Sequence, residues 1–206
     1  MKLNREEKEE AVEQEELPEG TVLVPVPESE LRAVGLFGDV EEEKMAELIG
    51  SLLLLRNSSF TLQSDGANNE PIEFLISTSG GSAHDMFAIY DTMRLIRESC
   101  EIHPVALGKV MSAGVLLLAG GTKGKRKIAK NCRLMIHGVT GGHIGAIHNL
   151  ENEMDEIRWL QERYIDALVA ETDMTKRFLK KLIARKVNVY LTAEEAVEYG
   201  IADEVI

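Results

Sequence analysis

At 206 residues, 44% hydrophobic and 28% charged, the chain is long enough to bury about 70% of its unfolded surface without disulfide or metal staples. A net charge of −12 argues against a nucleic-acid partner held by phosphate contacts, and no apolar run is long enough to span a bilayer. The acidic N-terminus lacks the basic-then-apolar order of a signal or transit peptide, and Cys100 and Cys132 stand far apart with no Cys-x-x-Cys spacing; both point to a cytoplasmic protein with buried, reduced thiols.

Residues 1–20 carry eight glutamates against three basic groups and end in Pro18-Glu19-Gly20. They read as a solvated acidic tail, or else a docking segment, ahead of a single domain over residues 21–206. Thr21–Val26 is β-branched and predicts a strand, with Pro25 at an edge. Leu31–Phe37 predicts a second strand, after which Asp39 is the expected N-cap of a helix from about Glu41 to Leu55. Glutamates at its start suit the helix dipole, and Met45, Leu48, Ile49 and Leu52 form an apolar stripe. The polar run Arg56–Pro71 predicts a loop. Ile72–Ser77 predicts a buried strand, and Ala83–Arg97 a helix with Met86, Ile89, Tyr90, Met93 and Ile96 inward. Val105–Leu107 predicts another strand, and Ser112–Gly120 a short helix so apolar that it must be buried.

Lys123–Lys130 reads as an exposed basic hairpin. Gly120–Lys125 has the look of a phosphate loop, but Ala119 replaces its first glycine and Arg126 its magnesium-binding hydroxyl, which excludes one. Leu134–His137 predicts a strand and Gly138–Gly145 a glycine-rich loop. Ala146–Ala170 predicts a long helix. Its Ile147, Leu150, Met154, Ile157, Tyr164 and Leu168 follow near-heptad spacing, with Trp159 and Leu160 off that seam. A helix apolar on more than one side packs against its own domain and against something else. Thr175–Lys186 predicts a basic helix, Thr192–Glu195 a capping box, and Gly200 the stop of the last helix. Strands alternating with helices imply an α/β domain with a largely parallel sheet.

Three short pieces carry groups with chemical use. Ser112 stands where a strand runs into a helix, with Ala113 and Gly114 leaving room beside it. From that segment alone it is either an N-cap or a nucleophile whose oxyanion meets the free N–H of Ala113. Gly80-Gly81 follows a strand and opens a helix. The N–H of Gly81 is a second candidate oxyanion donor, and a tight turn explains the pair equally well. His137 ends a strand before the glycine-rich loop, where it can act as a base. His84, His103, His143 and His148 read as surface or loop groups. No third ligand stands at metal spacing from His143 and His148, and neither a metal nor an organic cofactor is expected.

The runs Ser79–Ser82, Ala88–Met93, Met111–Gly114, Gly121–Arg126, Met135–His137 with Gly141-Gly142, and Leu191–Gly200 occur in that order. Together they resemble the proteolytic subunits of the Clp protease family over about Arg32–Ile206. The resemblance implies an α/β fold of the ClpP/crotonase-like class. Its repeated strand-strand-helix units would carry the Ala146–Ala170 helix as a projecting handle. It implies a serine endopeptidase acting on unfolded polypeptides, with Ser112 as nucleophile, His137 as base, and Gly81 and Ala113 as oxyanion donors. A peptide would lie extended between Gly81, Ser82, Ala83 and His84 on one side and Gly138, Val139, Thr140 and Gly141 on the other. The family resemblance also implies a homo-oligomer, heptameric rings stacked as a tetradecamer, with ATP used only by an AAA+ unfoldase partner.

The sequence departs from the family at four places, one of them two extra residues between the Asp91–Met93 segment and Gly108. Asn188, counted back from Leu191, stands at the family's catalytic aspartate; Ser79 replaces a proline; and residues 1–31 lack the family's axial-loop sequence. Asn188 can accept a bond from the His137 Nδ1–H but brings no charge to stabilise an imidazolium, which implies a weak Ser112–His137–Asn188 site. Two other readings stay open: a non-catalytic ring subunit regulating an active paralogue, and a different enzyme on a similar fold.

Overall fold

In the computed structural model, residues 31–61, 70–142, 144–185 and 187–206 are described, with the backbone alone for 58–61. The acidic tail, the strand expected over Thr21–Val26, and His143 lie outside the described residues. Residues 32–206 form one compact unit. The chain runs through β1 (Ala33–Phe37), α1 (Glu42–Thr61), β2 (Ile72–Thr78), α2 (Ala83–Arg97), β3 (Ile102–Met111) and α3 (Ala113–Ala119). It continues through β4 (Lys127–Ile128), β5 (Arg133–Ile136), α4 (Ile147–Glu171), α5 (Lys176–Ile183), β6 (Val189–Leu191), α6 (Ala193–Glu198) and β7 (Glu204–Val205).

The strands form one α/β sheet in the order β1-β2-β3-β4-β7, parallel throughout, from which β5 and β6 branch. The branch arises within β3. Its first half pairs with β4 through Val105 and Ala106, and its second half pairs with β5 through Lys109, Val110 and Met111. Between the halves the register against β2 shifts, from Ile76↔Ala106 to Thr78↔Val110. Gly108, at φ +62, absorbs that bulge. Gly108 does not end the strand, as the sequence suggests; it bends the strand so that β3 reaches Ser112. β6 closes the branch antiparallel to β5.

The core follows the expected stripes. Met45, Leu48 and Leu52 of α1, the five inward residues of α2, and alternate residues of β2 (Ile72, Phe74, Ile76) are buried together. Every residue of α3 is buried. α1 departs at both ends. An isolated bridge between Val40 and Gly81 delays its start, so Glu41, and not Asp39, accepts the first helical bond, from the Met45 N–H. It then runs to Thr61, six residues past Leu55 and into the expected loop; Arg56, tied to Ser99 Oγ at 3.1 Å, is polar yet lies within it. The expected hairpin over Lys123–Lys130 is corrected too: β4 is a parallel interior strand. Arg126 is only 4% exposed there, because Asp203 accepts from its Nε at 2.8 Å and its Nη2 at 2.6 Å.

α4 divides into two halves. Towards its end Leu160, Tyr164, Ile165 and Leu168 are buried, so Leu160 belongs to the core and is not off the seam. Towards its start Ile147 is 71% exposed and Met154 47%. The buried end is clamped by charge. Glu171, 5% exposed, accepts from Arg97 Nη2 at 2.8 Å and from the Tyr90 hydroxyl at 3.0 Å. Arg126 Nη1 donates to the Glu171 carbonyl at 2.8 Å. Burial on its own pushes the Glu171 carboxyl up, but the Arg97 guanidinium and the Tyr90 hydroxyl outweigh it, and the net shift is downward.

A carboxyl lowered in the folded state contributes stability above its ordinary value of 4.5 and loses it as pH falls through the lowered value. Glu171→Gln leaves the Arg97 charge unpaired and should cost about 3 kcal/mol near neutral pH by urea denaturation. The gap from wild type should narrow as pH drops below 4.5. A gap that stayed constant into that acid range would contradict the ion-pair assignment.

Candidate active site

β3 delivers Ser112 from one side and β5 delivers His137 from the other. The two strands pair directly, Met111 opposite Met135, so residues 25 apart in sequence become neighbours. His137 Nε2 lies 2.8 Å from Ser112 Oγ. For the hydroxyl to donate to Nε2, the ring proton sits on Nδ1. Ser112 occupies the N-cap position of α3, but its side chain makes no capping bond. The hydroxyl is bonded to the histidine rather than to the helix.

Ser112 adopts φ 52, ψ −118, the one non-glycine residue with positive φ among the described residues. Its N–H donates to the Met135 carbonyl at 2.8 Å. Its carbonyl accepts from the Val115 N–H and from the Tyr164 hydroxyl, each at 3.0 Å. The paired glycines have separate jobs. A Cβ on Gly80 would stand 2.6 Å from Ser112 Cβ and 3.1 Å from its Oγ, so only a bare backbone lets β2 and the serine meet. A Cβ on Gly81 would collide with the Val40 carbonyl, across the bridge that starts α1. Both glycines have φ well above zero, +98 and +152. Neither the Gly81 nor the Ala113 N–H has an acceptor among the described residues.

A cavity of 130 Å³ opens beside the pair. It is lined by Gly81, Ser82, Ala83 and Met86, by Gly138, Val139 and Thr140, and by Ser112, Ala113, His137 and Tyr164. Two residues expected to bind substrate do not line it. His84 is exposed and lies 3.2 Å from Glu156 of α4, and Gly141 packs against Ile157. Ser82 also caps α2, accepting from the Asp85 N–H.

Asn188 does not line this cavity. It is exposed and lines a second cavity, of 470 Å³, with His137, Gln161, Ile183 and Val187. No described residue bonds His137 through Nδ1, and Asn188 makes no hydrogen bond among the described residues. The structure brings together Ser112, His137, Gly81 and Ala113; it places Asn188 near the histidine without engaging it. Sequence reasoning missed Tyr164 as a site residue. Its place on the apolar stripe of α4 marked it as core, and a hydroxyl on such a stripe was the available signal.

The family model described as Clp protease matches residues 29–206. The ATP-dependent Clp protease proteolytic subunit 1 of Prochlorococcus marinus strain MIT 9312 is 33% identical over 175 residues, covering 85% of this chain and 84% of that protein. The protein of the same description from Prochlorococcus marinus subsp. pastoris is 37% identical over 139 residues, covering 66% of this chain and 67% of that protein.

The glycine geometry has a direct check. Gly81→Ala should lower stability by about 2 kcal/mol or more, because it meets backbone that side-chain motion cannot relieve. Gly142→Ala, which meets open space, should stay within about 0.5 kcal/mol of wild type. Equal urea midpoints for the two variants would contradict the close approach at Gly81.

Proposed function

This chain belongs to the Clp protease family, and we propose that it is a serine endopeptidase subunit that hydrolyses unfolded polypeptides or peptides. The observation that carries the proposal is the 2.8 Å contact between Ser112 Oγ and His137 Nε2, beside two unpaired N–H groups. Ser112 Oγ attacks the scissile carbonyl while Nε2 takes its proton. The negative oxygen that develops is met by the N–H groups of Gly81 and Ala113. The imidazolium then returns the proton to the leaving amine, and water activated by the same ring releases the acyl group from Ser112.

Gly81–Ala83 and Gly138–Thr140 line the same cavity, and an extended peptide would lie between them, bonded through its backbone. A 130 Å³ space walled by Met86, Val139 and the Tyr164 ring suits one apolar side chain of moderate size, since an apolar cavity of about 150 Å³ holds a benzene-sized group.

Asn188 is the third residue of the proposed site. An Asn at the orienting position removes the charge that stabilises the imidazolium, and its exposed side chain makes no bond to Nδ1 among the described residues. The same observation favours a second reading, a ring subunit that assembles without cutting. In either case the exposed apolar start of α4, with Ile147, Leu150 and Met154, supports assembly into stacked heptameric rings. An AAA+ unfoldase would act as the ATP-using partner.

A fluorophosphonate should label wild type and not Ser112→Ala, and Asn188→Asp should raise kcat on a fluorogenic peptide by at least roughly tenfold. Absence of labelling under every condition would favour the assembling, non-cutting reading. An Asp variant no faster than wild type would show that Asn188 is not the weak point. Met154→Glu should leave the chain folded yet reduce the assembled mass measured by light scattering; an unchanged mass would remove α4 from the interface.

A further inference from the structure

Ser112 holds its positive-φ conformation through three bonds to its backbone. Two come from neighbouring backbone: the Met135 carbonyl accepts from its N–H, and the Val115 N–H donates to its carbonyl. The third comes from a side chain, the Tyr164 hydroxyl, which donates to the same carbonyl at 3.0 Å. Tyr164 is 4% exposed and sits in line with Leu160 and Leu168 on the buried face of α4. Phenylalanine would serve that packing. The hydroxyl has no other partner among the described residues, and burial pushes its pKa up, so it stays a donor throughout any working pH range.

The Ser112 carbonyl and the Ala113 N–H belong to one planar trans peptide, and they point in opposite directions from it. A donor that fixes the carbonyl therefore fixes the N–H. It also polarises the peptide, which strengthens the opposite end as a donor. Tyr164 and Ala113 both border the cavity beside Ser112 and His137. We propose that Tyr164 is a positioning residue: by bonding the Ser112 carbonyl it sets the direction of the Ala113 N–H that receives the oxyanion. The proposal rests on the peptidase reading of Ser112 and His137. It assigns to α4 a part in the chemistry as well as in assembly.

The test is Tyr164→Phe, which keeps the ring against the cavity and deletes only the donor. The variant should lose about tenfold in kcat on a fluorogenic peptide with little change in KM. It should lose affinity by a similar factor for a peptide boronate, whose tetrahedral adduct uses the oxyanion donors. Tyr90→Phe provides the comparison, because it deletes a buried hydroxyl that bonds Glu171 and touches nothing in the site. It should lower the melting temperature and leave kcat per folded subunit unchanged. If Tyr164→Phe lowers only the melting temperature, as Tyr90→Phe does, the positioning role is overturned. If wild type neither labels with a fluorophosphonate nor turns over, the peptidase reading fails and this inference falls with it, a result distinct from an active wild type matched by its Phe variant. Should the Phe variant not fold, 3,5-difluorotyrosine at position 164 retains both ring and hydroxyl. Its more acidic phenol should give kcat an alkaline decline that wild type lacks, and a profile superimposable on wild type would equally overturn the role.

Discussion

A serine at φ 52 is held against its own backbone preference, at a cost of about 1–3 kcal/mol, and the centre of this fold is built to hold it. β3 supplies the residue, β5 takes its N–H through Met135, α3 starts on its carbonyl, and β2 comes up against its side chain through the bare backbone of Gly80. The conformation is what turns the hydroxyl away from capping α3 and towards His137. An extended conformation at this position, as at Thr175 and Thr192, would give an ordinary N-cap with its oxygen engaged by the helix. The bulge at Gly108 belongs to the same constraint, because without the register shift β3 would not change neighbours from β4 to β5 in time to bring the two strand ends together.

α4 contributes through opposite ends of its length. Its last turns are locked by a polar cluster in which Glu171 meets Arg97 and Tyr90 while Arg126 reaches both Asp203 and the Glu171 carbonyl. No buried side-chain polar atom among the described residues lacks a partner, which is what makes charges tolerable at this depth. The opposite end carries apolar side chains into solvent, an arrangement suited to a surface completed by another chain.

Much of this was legible in the sequence, and the reasons are local. The stripe on α2, the capping box at Thr192–Glu195, and the strand and helix on either side of the paired glycines are short-range patterns, and they fold as their local sequence requires. Ser112 and His137 were visible because each stands at a strand end, where side chains from parallel neighbours converge. The misses came from tertiary context. Gly108 looks like a terminator and is a bulge. Arg126 looks like a surface charge and is buried because Asp203, 77 residues on, meets it. α1 runs past its apolar stripe, and the polar Arg56 lies within it because Ser99 accepts from its side chain. No spacing rule shows whether the Asn188 side chain bonds the imidazole; the coordinates show both lining one cavity with no bond between them.

The two partners at the centre of the site also differ in what surrounds them. Ser112 is welded to β3 and to a helix with no exposed residue, so its segment can come apart only when the whole domain does. His137 leads into Gly138–Gly142, a stretch without helix or strand that becomes exposed from Thr140 onward. Of the two bonded partners, only the imidazole is followed by backbone that leaves the regular structure for solvent.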